Sequence, residues 1–494
     1  MTTSVGSDLV VRSSVRLRLD DTRTVARLFV AGQEEVGGGE SRAGDVIGRV
    51  LALGEDEVER ALADVMERFD HRHHDFSAML ERHAATVAHR VARRKTLSPA
   101  RRLLLGATFT HEYAIEAAAL CNPSIVRDPD QRTAPAGSVR FIMSVRCIGE
   151  GHRSSIGFRT GLVDAHGSVS IDAPGPYPVM GDIDRAPIYR SVIHGKLAQI
   201  GDDGESAAFL LDQLGETFTA ADLNQALAVL HSELATRYTA VETIARVRAI
   251  ASSCYSATFP RSTAVSERVL WPTSPAESNG MEDARFVHFT DDDGTSSYYA
   301  TYTAFDGRRV DQHLLSTNDF VRFDASPVVG AGAANKGLAL FPRRIGGRFV
   351  ALSRSDRETN AITSSDDMRH WDTAVTCQVP ERSWELIQLG NCGSPIETAA
   401  GWLVLTHGVG AMRTYSIGAI LLDLDDPTRV VGHLAEPLLV PARDEQDGYV
   451  PNVVYTCGAM VHEDTLVIPY GIADSSIGFA TAPLGALVER ISRS

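Results

Sequence analysis

The sequence predicts a mainly β protein: a five-bladed β-propeller with an N-terminal, mainly helical domain and a helical insertion. Three observations lead there. Similar strand cores recur at blade spacing, a turn signal precedes each, and helical periodicity is confined to two stretches, one before the first core and one between the first and second.

The strand cores occupy 139–146, 298–306, 348–354, 402–407 and 465–471. The last four begin at residues 298, 348, 402 and 465, so they lie 50, 54 and 63 residues apart, the length of one four-stranded blade. Matching outer hairpins follow at 316–323, 364–371 and 422–427, each with an aspartate at its turn. A β-sandwich with chance similarity between strands is the competing reading.

The 494 residues allow two to four domains. Residues 1–120 read as a strand-plus-helix domain. Alternation between Val11 and Val30 suits one or two strands, and the Gly37–Gly39 gap closes them. Helical spacing then runs from Glu55 and again over 76–94, and Ser98-Pro99 supplies an N-cap and N1 pair for a helix expected to reach Leu120. Residues 121–494 form the propeller, interrupted by a helical insertion at about 200–255 in which Thr219 caps a helical stretch.

Composition narrows the function. Hydrophobic residues at 44% and charged residues at 22% describe an ordinary globular protein, and a net charge of −15 without a basic stripe argues against nucleic acid and anionic membranes as partners. No stretch nears the roughly 20 apolar residues of a membrane span, and residues 1–14 lack the order of a secretion signal, so a cytoplasmic location is expected. Six cysteines without a C-x-x-C pair read as buried thiols rather than a zinc site or disulfide framework. The run Asp70-His71-Arg72-His73-His74-Asp75 reads as a solvated face, because adjacent helical residues point apart. Only Lys95, Lys196 and Lys336 are lysine, the other basic residues being arginine.

The repeat also marks candidate site residues. Arg146, Asp306, Arg354 and His407 close their strand cores and Asp474 lies just past its own, so all five are expected at one mouth of the central channel. Two arginines, a histidine and two carboxylates there suit a ligand that is polyhydroxylated, anionic, or both. Beside them, Glu282-Asp283-Ala284-Arg285 sets an arginine where it can hold one carboxylate ionised while its neighbour acts as an acid. Lys336 opens an apolar strand, and Gln388 lies in a segment dense in glycines and amides.

Together, Asn122-Pro123, Gly280-Met-Glu-Asp283-Ala-Arg285, Tyr299 to Gly307, Asn335-Lys336 to Pro342, Gly393 to Gly408, Tyr415 to Asp423, Val450-Pro-Asn-Val453 and Tyr470 to Asp474 resemble glycoside hydrolase family 130. The resemblance covers about 122–480 apart from the insertion. It implies a five-bladed propeller that phosphorolyses a β-mannoside oligosaccharide with inversion, giving α-mannose 1-phosphate, or runs the reverse synthesis. Asp283 takes the general acid's place, acting through the 3-hydroxyl of the mannose. Lys336, Arg354, His407 and Tyr415 match phosphate-binding positions. Asn122, Arg146, Glu282, Arg285, Asp306, Gln388 and Asp474 are carried as sugar-pocket positions. Inorganic phosphate is the co-substrate, with no metal and no organic cofactor. Two departures reduce the positive charge: Lys336 stands where the family usually has arginine, and Gln388 where many phosphorylases have lysine. An inverting β-mannosidase with Glu385 or Glu397 as base, a mannosyltransferase using an activated donor, and a non-enzymatic carbohydrate-binding propeller are the alternatives. The apolar faces of the added helices lead to an expectation of a homo-oligomer.

Overall fold

The computed structural model describes residues 8–30, 42–91, 96–233, 236 and 239–493; the Gly37–Gly39 gap and Lys95 lie outside the described residues. The chain divides into two compact units. One comprises the residues up to Leu19, Ala118–Pro174 and Met180 onward, and the other Asp20–Ala117 with Gly175–Val179.

Among the described residues, the larger unit contains five antiparallel sheets arranged as blades, besides a two-stranded ribbon of Ile188–Tyr189 with Thr217–Phe218. The first runs Ala119–Arg127, Val139–Ile148, Ser154–Val163 and Val169–Ile171. The second runs Gly280–Thr290, Ser296–Phe305, Val310–Thr317 and Arg322–Pro327, and Tyr255–Thr258 and Asp182–Arg185 extend its outer edge. The third runs Ala339–Leu340, Phe349–Ser353, Asn360–Ser365 and Val375–Gln378. The fourth opens with Gln388–Asn391 and Ile396–Thr398 on one edge of Gly401–Val409, followed by Tyr415–Leu422 and Val430–His433. The fifth opens with Val454–Tyr455 and Met460–His462, continues through Thr465–Ile472 and Ser476–Pro483, and takes its outer strand, Val11–Arg18, from the other end of the chain.

Apolar faces join each sheet to the next and close the ring. Phe158 of the first packs on Phe286, Phe320 and Phe323 of the second. Val287 and Phe289 meet Leu340 and Phe349, and Leu352 and Phe341 meet Trp402 and Val404. Leu403 and Ile417 meet Leu466 and Ile468, and Phe141 and Met143 meet Val467 and Phe479. No blade could bury both faces alone, so each blade's stability depends on its neighbours. This is the five-bladed propeller. The recurring strand cores turn out to be the second strand of every blade. The first strands lie innermost, where Phe286 N–H donates to Ser124 Oγ and Cys457 N–H to the Pro123 carbonyl across blade boundaries.

Between the first and second blades, helices Arg190–Gln199, Glu205–Leu211, Ala220–Ser232 and Ala240–Ser252 pack around Leu197, Leu210, Leu227 and Val247. Thr219 and Asp222 form a reciprocal capping box at the third of these.

In the smaller unit, Thr24–Leu28 pairs with Thr110–Ala114, and the helices are Arg42–Ala52, Glu55–Phe69, Phe76–Val87 and Pro99–Thr108. Ser98 Oγ accepts from Arg101 N–H and Pro99 sits at N1. That helix stops at Thr108 rather than Leu120, because the following β-branched and aromatic residues pair as a strand. The division at 120 therefore differs from the sequence reading at both ends: Val11–Arg18 completes the fifth blade, and Ala119–Arg127 begins the first. In the acidic and histidine-rich run, Arg72 and His73 both contact Glu112, at 2.7 and 2.8 Å.

Candidate active site

A cavity of 200 Å³ opens where the first strands converge. Its lining includes Asn122 and Arg146 from the first blade, Asp283 and Arg285 from the second, Lys336 and Arg354 from the third, Gln388, His407 and Tyr415 from the fourth, and Asp474 from the fifth. All but two of the sequence-derived candidates meet here. Glu282 stands beside the lining, bonded to Arg146. Asp306 is elsewhere: its Oδ1 accepts from the backbone N–H groups of Arg308 and Arg309 and fixes the turn after its strand.

Backbone bulges aim the acid. Asn122 and Asp283 each have positive φ, +49° and +56°, at irregularities in the inner strands of adjacent blades. Asn122 Nδ2 donates to Asp283 Oδ1 at 2.5 Å, and Arg146 Nη1 lies 3.3 Å from the same oxygen. Arg146 also bonds Glu282 Oε1, and its Nε donates to Ser154 Oγ at 2.9 Å. The cation that holds the two carboxylates is thus Arg146, not Arg285 as the motif suggested. Arg285 is buried and directed across the axis, donating to the Cys392 carbonyl, the Asp283 carbonyl and Tyr455 Oη at 3.1, 3.1 and 2.9 Å.

Burial pushes the Asp283 carboxyl up, but the charges of Arg146, Lys336 and Arg285 and the Asn122 hydrogen bond outweigh it and hold the group below its ordinary value. Glu282 is raised by burial, against Arg146. Asp474, at a φ of +50°, is raised by burial to about 6.

Arg354 and His407 are buried, and both pack against Gly390. A Cβ at Gly390 would lie 2.2 Å from Arg354 Nε and 2.7 Å from His407 Cε1, and one at Gly337 would lie 3.0 Å from Arg354 Cδ. Two glycines therefore make the slot that the guanidinium occupies. Arg354 Nη2 donates to the Arg357 carbonyl at 3.0 Å, while Arg354 Nε and His407 Nδ1 have no hydrogen-bond partner among the described residues. His407 stacks on Tyr415 with centroids 6.0 Å apart and meets Tyr455 edge-on at 5.0 Å. Burial, with Arg354 and Arg285 nearby, drives its pKa well below the ordinary value, so His407 is neutral near pH 7. At the phosphate-binding position expected of it, the imidazole therefore contributes a hydrogen bond, not a charge.

Arg413, Val450, Val453 and Tyr455 also line the cavity; the sequence marks Val450 and Val453 only as part of a motif, and Arg413 and Tyr455 not at all. Arg413 lies in a turn beyond the strand end, out of register with the repeat. Tyr455 occupies a two-residue strand too short for a periodic signal. The two glutamates considered as hydrolytic bases are committed elsewhere. Glu385 is buried, accepting from Arg382 and from the backbone N–H groups of Glu381 and Arg382, and Glu397 forms a bidentate pair with Arg343.

A family profile described as β-1,4-mannooligosaccharide phosphorylase matches residues 220–493, more than half of the chain. The chain belongs to glycoside hydrolase family 130. Among family 130 relatives, a 1,2-β-oligomannan phosphorylase of Thermoanaerobacter sp. strain X514 is 37% identical over 209 residues, 41% of this chain and 68% of that protein. A β-1,2-mannobiose phosphorylase of Listeria innocua is 31% identical over 229 residues, 45% of this chain and 63% of that protein. The solved complex of the Listeria innocua β-1,2-mannobiose phosphorylase with β-1,2-mannobiose aligns at a TM-score of 0.45 and 20% identity, covering 76% of this chain and 93% of that one. The first blade, with Asn122 and Arg146, precedes the segment matched by the family 130 profile. Among the described residues, no helix is long and apolar enough to cross a membrane.

Proposed function

We propose that the chain phosphorolyses a β-mannoside with inversion, releasing α-mannose 1-phosphate, or catalyses the reverse synthesis. The observation that carries this reading is that a buried carboxyl, Asp283, and the Arg354 and His407 side chains line the same small cavity, with Arg354 Nε and His407 Nδ1 buried and without a hydrogen-bond partner among the described residues. Phosphate near neutral pH carries one to two negative charges, and a charged guanidinium beside a neutral imidazole suits such an anion. Lys336 adds a charge and Tyr415 a hydroxyl from the cavity wall. Lys336, Arg354, His407 and Tyr415 hold phosphate, while Asn122, Arg146, Glu282, Gln388 and Asp474 orient the mannose. Arg285 braces the inner strands.

The two halves of the site are electrostatically linked. Without phosphate, the positive field of Arg146, Lys336 and Arg285 keeps Asp283 ionised, the wrong state for an acid. A dianion seated against Lys336 and Arg354 offsets that field, so the carboxyl takes up a proton as the nucleophile arrives. The acid then donates toward the leaving oxygen through the mannose 3-hydroxyl while a phosphate oxygen attacks C1 from the opposite face. The relatives' names, which include β-1,2- and β-1,4-linked mannoside phosphorylases, support the substrate class and leave the linkage open between them.

Hydrolysis is the second reading, and Asp474 favours it: a carboxyl with a pKa of about 6 is mostly ionised at pH 7 and would serve as a base for water. Incubation with α-mannose 1-phosphate and neutral mannosyl acceptors tests the first reading. Release of inorganic phosphate coupled to growth of a β-mannoside supports phosphorylase chemistry. Absence of transfer to any acceptor, with β-mannobiose cleaved to free mannose in phosphate-free buffer, supports hydrolysis.

A further inference from the structure

A second cavity, of 1110 Å³, adjoins the first and shares Lys336, Arg354, Gln388 and Tyr415 with it. Most of its remaining wall comes from three separate elements. The helical insertion contributes Lys196, Ile200 and Ile250, the turn after Ser296–Phe305 contributes Arg308 and Arg309, and the loop after Phe349–Ser353 contributes Arg357. Six basic side chains line this basin against two carboxylates, in a chain whose net charge is −15.

Both carboxylates are already engaged. Asp306 accepts from the backbone N–H groups of Arg308 and Arg309 at 2.8 and 2.6 Å, which fixes the turn presenting those two arginines. Asp311 bonds Lys196 and lies 3.4 Å from His313 Nε2. The guanidinium groups of Arg308, Arg309 and Arg357, by contrast, have no carboxylate partner among the described residues. Three uncommitted cations converging from different elements of an acidic protein set up a local field that selects anions. A neutral sugar gains nothing from them.

We propose that this basin receives the part of the mannoside beyond the scissile bond, and that this part carries an anionic group, a phosphate monoester or a carboxylate, held by Arg308, Arg309 and Arg357. The proposal rests on the phosphorylase reading for the identity of the neighbouring site. Planar guanidinium groups match the oxygens of either anion in a bidentate manner, which is also why lysine would not substitute equally. The helical insertion then has a defined role: Lys196 orders Asp311 and, with Ile200 and Ile250, supplies the wall that turns a shallow propeller mouth into a basin.

Calorimetric titration of the protein with mannose, mannose 6-phosphate and mannuronate, all in saturating inorganic phosphate, tests this. Inorganic phosphate fills the inner anion slot, so residual binding reports on the basin. At least one of the anionic sugars is expected to bind at least about tenfold more tightly than mannose, and the arm that does so separates phosphate from carboxylate. The R308S/R309S variant, altered only at exposed turn positions, is expected to lose about tenfold for that sugar and nothing for mannose; R357S repeats the test from another loop. Equal affinity for all three sugars, no detectable binding of either anionic sugar, complete displacement by inorganic phosphate, or an unchanged variant would each overturn the proposal. Failure of the phosphorylase reading looks different, since mannose 6-phosphate or mannuronate would still bind while no phosphate-dependent mannosyl transfer occurred.

Discussion

Asn122 and Asp283 belong to different blades, both adopt left-handed backbone geometry, and they meet through a 2.5 Å hydrogen bond at the propeller axis. Such geometry costs of order 1 kcal/mol or more at each non-glycine residue, and asparagine and aspartate are among the side chains that tolerate it best. The bulges turn both side chains out of the strand pleat and into the cavity.

Replacing Asp283 with asparagine retains that backbone preference while removing the transferable proton. D283N is expected to fold normally, bind mannoside with little change, and lose about a thousandfold or more in kcat. Steady-state kinetics together with ligand titration check this. Retained turnover would remove Asp283 from the role of acid.

Gly390 makes room for the anion slot. In G390A the new methyl would lie 2.2 Å from Arg354 Nε and 2.7 Å from His407 Cε1, so one of the two must swing away. The KM for phosphate is expected to rise about tenfold or more, with a smaller change in the KM for mannoside. Initial rates across a grid of both substrates separate the two effects.

Asp474 ties stability to pH. Its carboxyl is raised from the ordinary aspartate value to about 6, so the native state favours the protonated form more than the unfolded chain does. The resulting stabilisation is complete below about pH 4 and is lost as pH climbs through 6. D474N should therefore be more stable than the parent at pH 7–8, by at most about 2–3 kcal/mol, with the difference vanishing near pH 4. Thermal unfolding of both proteins across that range measures it, and a gain that grows toward acid would contradict the assignment.

The ring depends on its first described strand. Val11–Arg18 completes the fifth blade, Val15, Leu17 and Leu19 pack on the apolar cluster joining the first and fifth blades, and Arg16 pairs with the buried Glu445 at 3.0 Å. Removing residues 1–19 strips the outer edge from Ser476–Pro483 and leaves Glu445 with less compensation. A loss of about 5 kcal/mol and concentration-dependent aggregation are expected. Unfolding midpoints and light scattering test this; an unaltered midpoint would mean that the ring closes without the strand.

The propeller was legible because every blade repeats one well-patterned second strand, and the ends of those strands placed Arg146, Arg354 and His407 correctly. Asp306 lies in the wall of the larger cavity rather than the inner one, because its carboxylate caps a turn, which register alone does not reveal. The neutrality of His407 is not legible in the sequence, because desolvation depends on neighbours from other blades, namely Arg354, Arg285 and Tyr455. The closing strand stayed hidden for a related reason: alternation within 11–18 marks a strand but carries no information about a partner more than 450 residues away. Arg146 as the partner of Glu282 and Asp283 is likewise a contact between blades, invisible to a motif that contains its own arginine.

The most direct measurement is the rate of β-mannobiose cleavage as a function of inorganic phosphate, with products followed by phosphorus NMR. Phosphorolysis requires cleavage to vanish without phosphate, saturate as phosphate is added, and convert each equivalent consumed into α-mannose 1-phosphate. Mannose released at the same rate in phosphate-free buffer, with no sugar phosphate formed, would contradict it.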